Sequence, residues 1–294
     1  MKTHNCPPTL TDRQVLEFCK NGFLMLEGVV SDEINKRTLE YLEGNTSGEP
    51  IEILHEDWFM SNVIQNSQAA GAVRSLLGKN FGLPTLMSNH RVRTPAPAQG
   101  WHRDGGWKHG VELNYLQVFY YPQACTFEMG PTALLPGSHF LFSQSVYMGH
   151  YGSIRGTYYA VAPAGSIFIT VYSIWHRRSA SSVPGLRNLL KYNYWRLSPP
   201  ERDWIVEPDF DFANADYAIH DAPTFREQFV DCTDAAHMFM WLCGQGDHFS
   251  TLGGQAWPLR ARHDPMPYGV PSVLLNGSNH DVNLVTNGSR TSRH

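Results

Sequence analysis

From Pro84 to about Leu197 the chain is a succession of short runs rich in Val, Ile, Thr, Tyr and Phe, punctuated by Gly, Pro and Asn. All-β sandwiches and barrels have this pattern. The runs Asn114–Tyr121, Thr132–Leu135, Thr157–Ala162, Ser166–Tyr172 and Leu189–Leu197 are the expected strands, and the segments between them are too short to hold repeated crossover helices. Neighbouring parallel strands need such crossovers, so the sheet should be largely antiparallel.

The flanks are different. Thr11-Asp12-Arg13-Gln14 has the form of a capping box, with Val15, Phe18 and Cys19 at helical spacing behind it. Ser31-Asp32-Glu33 opens a second helix, and Ser67 to Leu77 keeps helical spacing until Gly78. Thr224-Phe225-Arg226-Glu227 is another capping box, ahead of a helical segment reaching Leu242. The expected fold is therefore mainly β with flanking α: a double-stranded β-helix of the jelly-roll or cupin kind, with helices packed outside the barrel. The chain reads as one domain over 1–275, with a helical shoulder at 1–84, a β core at about 85–200 and a helical segment at about 201–275. Residues 276–294, rich in Gly, Ser and Asn, read as a mobile tail.

Composition narrows the function. At 294 residues and 42% apolar content the chain can bury a large core. A formal charge of -4 supplies no general basic field for nucleic acid, which leaves a small molecule as the expected partner. The five cysteines are scattered without a CxxC pair, which disfavours a disulfide framework or a thiolate zinc site and suits the cytoplasm. No apolar run approaches the ~18–20 residues that span a bilayer, so no membrane association is expected. A monomer or homodimer is expected.

The stretch Gln99-Gly100-Trp101-His102-Arg103-Asp104 carries the most chemistry. His102 and Asp104, two residues apart, point to one side of an extended segment. A second histidine would complete the two-His-one-carboxylate face that leaves Fe(II) open positions for a cosubstrate and O2. Of the fourteen histidines, His176 is the best placed, at the end of the apolar, β-rich run from Gly165. His139, in a turn-like segment, reads as a structural hydrogen-bonding residue. Eleven residues after His176, Arg187 begins the next expected strand. Its planar guanidinium could grip a carboxylate with two parallel hydrogen bonds. Alone, it would read as a surface residue.

Together, His102, Asp104, His176 and Arg187 resemble the phytanoyl-CoA hydroxylase family of Fe(II)/2-oxoglutarate dioxygenases. The segment from Leu10-Thr11-Asp12 to Gly28-Val29-Val30, with Gly22-Phe23-Leu24 inside it, looks like the family's N-terminal segment. Gly130-Pro131-Thr132-Ala133-Leu134-Leu135-Pro136-Gly137-Ser138-His139 is similar to the segment between its metal-binding strands. The resemblance implies that His102, Asp104 and His176 bind iron and that Arg187 holds the distal carboxylate of 2-oxoglutarate. It implies further cosubstrate contacts from Gln99 and Thr132.

The implied reaction consumes 2-oxoglutarate and O2, releases succinate and CO2 and oxidises a substrate C–H bond, with ascorbate supportive in vitro. In halogenating relatives a small residue stands where Asp104 stands here, so the carboxylate argues for oxygenation, with hydroxylation of a small secondary metabolite the first expectation. Desaturation, cyclisation, epimerisation and endoperoxidation need the same ligand set. Two rivals remain: a metal cupin that does not use 2-oxoglutarate, and a catalytically silent binding protein on the same fold.

Strand parity extends the site. If Arg187 points inward and no bulge intervenes, Lys191, Asn193 and Trp195 share its face and line the substrate pocket. Trp107, after Gly105-Gly106, is placed at the pocket entrance.

Overall fold

Thr11 starts the first helix, α1 (Asp12–Asn21), through a complete capping box: its hydroxyl accepts from the Gln14 N–H and its own N–H donates to Gln14 Oε1 at 3.0 Å. Gly22 ends it in the left-handed conformation, φ +78°. The computed structural model describes residues 1–104, 110–141, 147–148, 152–216 and 225–246. Trp107 and residues 276–294 lie outside these. The chain divides into units Met1–Gly244 and Gln245–His294, and all but the first two residues of the second also lie outside.

Helices α2 (Asp32–Gly44), α3 (Asp57–Phe59), α4 (Ser67–Leu77) and α5 (Phe225–Leu242) complete the helical set. Asn66 caps α4 by accepting from the N–H groups of Gln68 and Ala69. The strands are β1 (Thr3–His4), β2 (Phe23–Leu26), β3 (Phe81–Gly82), β4 (Ser88–Asn89), β5 (Val92–Ala96), β6 (Trp101–His102), β7 (Tyr115–Tyr121), β8 (Thr132–Leu134), β9 (Tyr147–Met148), β10 (Tyr158–Tyr159), β11 (Ser166–Val171), β12 (His176–Arg178), β13 (Ser181–Arg187) and β14 (Leu190–Trp195). All five sequence-expected runs contain one. They form a large sheet in the order β1-β3-β14-β7-β11-β2, with β4 beside β14, and a smaller sheet β10-β8-β12-β6-β9; β5 and β13 pair separately. Every pairing between these strands is antiparallel among the described residues; an isolated bridge, Thr11 with Ile205, is parallel.

The large sheet is covered on both faces, which is why β7 and β11 read as nearly continuous apolar runs. Val118 and Tyr120 of β7, Ile167 and Ile169 of β11, and Tyr192 of β14 belong to one core with the helices. Phe119, Tyr121 and Phe168, one residue out of phase, form a second core with Leu134 of the small sheet. This inner face, between the sheets, also carries the polar residues of the site.

A buried carboxylate ties α1 to the chain beyond the sheets. Asp12, fully buried, accepts from Arg202 Nε (2.8 Å) and Nη2 (2.7 Å), Trp204 Nε1 (2.8 Å) and the Glu207 N–H (2.7 Å). Burial works to raise its carboxyl, but these donors hold it below the ordinary aspartate range.

Two expectations need correction. His176 does not end the strand that begins near Gly165: that strand stops at Val171, a turn over 172–175 crosses between sheets, and His176 opens β12. The turn is fixed by the Ile174 N–H on Val171 O (3.1 Å) and the Trp175 N–H on Ser138 Oγ (2.9 Å). Arg187 closes a strand instead of starting one, because β13 pairs with β5, through a register irregularity, before the chain re-enters the large sheet as β14.

Candidate metal centre

His102 and His176 are direct partners across the β6–β12 ladder, which puts both rings on one face. Their centroids are 4.5 Å apart. Each ring's Nδ1 lies against the carbonyl two residues earlier, Gly100 O at 2.9 Å for His102 and Ile174 O at 3.0 Å for His176. A carbonyl there requires Nδ1 to carry the proton, which places the imidazole lone pair on Nε2, the arrangement of a metal-binding histidine. Burial pushes His176 down to about 4 against the pull of Asp104, so the ring is neutral near pH 7.

Asp104 turns its carboxylate toward the same point, Oδ2 3.8 Å from His176 Nε2. One ligand atom from each of the three residues lies within 4.8 Å of the others, close enough to hold one metal ion. Two further side chains fix the carboxylate: Lys191 Nζ donates to Oδ2 at 3.1 Å, and the Gln117 amide donates to the same oxygen. Burial acts to raise Asp104, but His176, Lys191 and Gln117 bring it down to about 2, so it is ionised at any working pH.

Arg187 lies deeper on the inner face and is 2% exposed. Its Nη2 donates to Thr132 Oγ1 (3.1 Å) and Tyr121 OH (3.3 Å), and Nε is buried with no hydrogen-bond partner among the described residues. The Cys125 thiol is a further neutral partner. A buried cation that meets hydroxyls and a thiol but no carboxylate among the described residues has the chemistry of an anion site. Thr132 is thus beside Arg187. Gln99 is exposed, and its amide oxygen accepts from the Arg178 N–H at 3.1 Å.

Lys191, Asn193 and Trp195 keep the parity read from the sequence. Lys191 faces the centre; Asn193, half-buried, donates to Leu116 O at 3.3 Å. Trp195, 37% exposed, rests its ring 5.1 Å from Tyr115, which meets Tyr172 at 5.0 Å. The three rings make an aromatic ledge at the end of the inner face. Burial and then the Asp104 charge raise the Tyr172 phenol.

Sequence reasoning missed Gln117, Tyr115 and Tyr172, and took His90 as part of the His90-Arg91-Val92-Arg93 segment, an alternating face read as solvated in preference to anion-binding. Gln117 had a signal: it is the only amide in the otherwise apolar or aromatic strand β7 and is fully buried. Burial and then Lys191 and Arg187 lower His90 to about 4.

The Pro136-Gly137-Ser138-His139 segment braces the centre and binds nothing in it. His139 Nε2 contacts Cys19 O at 2.9 Å, as expected of a structural histidine, and its ring packs on Gly22, where an added Cβ would come within 2.4 Å of Nδ1. Ser138 Oγ holds the Trp175 N–H and the Ser173 hydroxyl donates to His139 O (3.3 Å), so this turn supports the chain that delivers His176.

No family model matches the chain, and no curated protein matches it. Solved structures do. HygX from Streptomyces hygroscopicus, solved with iron bound, superimposes with a TM-score of 0.53 at 16% identity over 64% of this chain and 88% of its own. The same protein with nickel and 2-oxoglutarate bound gives 0.53 at 15%, with the same coverage. The epimerase SnoN, in complex with Fe3+, alpha-ketoglutarate and nogalamycin RO, gives 0.51 at 14% over 63% of this chain and 82% of its own. At these identities the likeness is one of fold: the chain has the β-rich architecture of these metal- and 2-oxoglutarate-binding proteins.

Proposed function

We propose that the protein is an Fe(II)- and 2-oxoglutarate-dependent oxygenase of the phytanoyl-CoA hydroxylase kind, built on a double-stranded β-helix, that hydroxylates a C–H bond of a small secondary metabolite. The observation that carries this reading is one inner face bearing both a His-Asp-His cluster and, deeper in, a buried guanidinium with an unpartnered N–H. Two imidazoles and one carboxylate on one side of an ion suit Fe(II). The hydroxyl-bound Arg187 suits a carboxylate tail. HygX and SnoN, both solved with 2-oxoglutarate, support the pairing of metal and cosubstrate on this fold.

In this reading His102, Asp104 and His176 hold the iron, and Arg187 with Thr132 orients 2-oxoglutarate. When bound, iron and cosubstrate supply the oxidising power toward O2 and the substrate. The chain fixes geometry and excludes water. Lys191 and Gln117 hold the Asp104 carboxylate in one orientation, and the backbone carbonyls behind both histidines hold their rings. Substrate meets the Trp195–Tyr115–Tyr172 ledge and Asn193. A second outcome, epimerisation with the same cofactors, is favoured by one comparison only, SnoN being an epimerase.

Arg187→Ala tests the cosubstrate assignment. Loss of a charge-assisted double hydrogen bond should raise the 2-oxoglutarate concentration for half-maximal binding at least ~30-fold while Mn(II) affinity stays unchanged. Calorimetric titration of the metal-loaded protein measures both. Unchanged 2-oxoglutarate affinity would remove Arg187 from the site.

A further inference from the structure

We propose that Arg178 of β12 joins Arg187, at the end of β13, in a clamp of two guanidiniums that closes on the distal carboxylate of 2-oxoglutarate. The inference rests on the cosubstrate reading above and adds a residue to it.

Placement comes from the ladder. Arg178 follows His176 by two residues on β12, so the two side chains leave the strand on the same, inner face. Its cross-strand partner is Thr132, whose hydroxyl already accepts from Arg187 Nη2 at 3.1 Å. Arg177 between them faces the other way, with its guanidinium 4.9 Å from the Trp101 ring centroid. Of two consecutive arginines, only Arg178 is directed between the sheets.

The energetics then ask for an anion. Arg178 donates Nη1 to Ser179 O (3.2 Å) and Nη2 to Pro97 O (2.7 Å), both neutral acceptors. Its Nε, like that of Arg187, is buried without a hydrogen-bond partner among the described residues. Burial and then the Arg187 charge lower the Arg178 pKa, and Thr132, cross-strand partner of one arginine and hydrogen-bonded to the other, sets the two cations near each other. Two like charges with unused N–H donors are unfavourable there unless an anion stands between them. A carboxylate has two oxygens and about four acceptor positions, enough for one N–H from each guanidinium together with the Thr132 hydroxyl. A single point charge would use this planar arrangement less well.

The clamp predicts a selectivity. A second guanidinium adds affinity only for a 2-oxo acid that has a distal carboxylate. Calorimetry on the Mn(II)-loaded full chain, with 2-oxoglutarate and with 2-oxobutanoate as probes, separates the contributions. Arg178→Ala should weaken 2-oxoglutarate binding ~10-fold and leave 2-oxobutanoate unchanged, with Arg178→Lys recovering part of the loss. Arg177→Ala, which removes the same charge from the outer face, should change neither. If Arg178→Ala is poorly folded by circular dichroism, Arg178→Gln keeps the stem and some hydrogen bonding and carries the same expectation. An unchanged preference for 2-oxoglutarate over 2-oxobutanoate in these variants overturns the clamp while leaving the cosubstrate reading intact. Absence of 2-oxoglutarate binding to the wild-type protein overturns both.

Discussion

Asp104→Ala is expected to weaken divalent-metal binding at least ~100-fold, since even groups that merely orient metal ligands are worth ~10–100-fold, and to abolish 2-oxoglutarate turnover. Asp104 is the only anionic member of the triad, and its Oδ2 faces His176 at 3.8 Å. Without it the two imidazoles remain, and Lys191 loses its partner and stands as an uncompensated cation beside the ion. The fold should survive, because the Lys191 side chain is 18% exposed and can turn to solvent. Asp104→Asn separates charge from shape: it keeps the volume and loses the charge, and should bind metal nearly as poorly as the alanine variant. Equilibrium dialysis with Mn(II) reads the effect. Wild-type affinity in both variants would mean that the three residues gather for a structural reason.

Gly22→Ala is the largest expected effect on stability, about 3 kcal/mol, from the left-handed conformation (~1–2 kcal/mol) and overpacking (~1–3 kcal/mol). At φ +78° an alanine is already strained, and its Cβ would come 2.4 Å from His139 Nδ1 in a ring held through Nε2 to Cys19 O. Relief requires moving the Ser138–His139 turn, which braces the approach to His176, so metal affinity should fall with stability. Gly28 is the matched control: φ is +62° and nothing lies within 4 Å of its added Cβ. Gly28→Ala should lose only ~1 kcal/mol. Urea denaturation with unchanged slope compares the two. Equal losses would show that His139 yields freely.

The contrast between these sites shows what the sequence could reveal. His102 and Asp104 were legible because alternation along an extended segment needs only local information. Lys191, Asn193 and Trp195 followed Arg187 by the same rule, and the rule survived the break between β13 and β14. Partners from other strands were not accessible in this way. Gln117 joins Lys191 on Asp104 because β7 lies next to β14 in the large sheet, and Arg178 meets Thr132 because β12 lies next to β8; neither register is written in the local pattern. The same limit explains His176. Its run looked like one strand, and only the turn held by Ser138 divides it between two sheets. Gln99 was placed with the cosubstrate by resemblance; its amide oxygen accepts from the Arg178 N–H, a pairing local pattern does not show. The Gly22 and Gly137-Ser138-His139 segments were recognised as separate motifs, and their contact with each other gives both a physical reason.

The central claim is that this centre couples 2-oxoglutarate to O2 through a metal held by His102, Asp104 and His176. The most direct measurement is succinate formed when the wild-type protein is incubated with Fe(II), 2-oxoglutarate, ascorbate and O2, with Asp104→Ala beside it. The account predicts succinate from the wild-type protein even without a substrate, at a slow uncoupled rate, and none above background from the variant. A wild-type protein that binds iron at the triad yet forms no succinate, or a variant that forms as much, would contradict it.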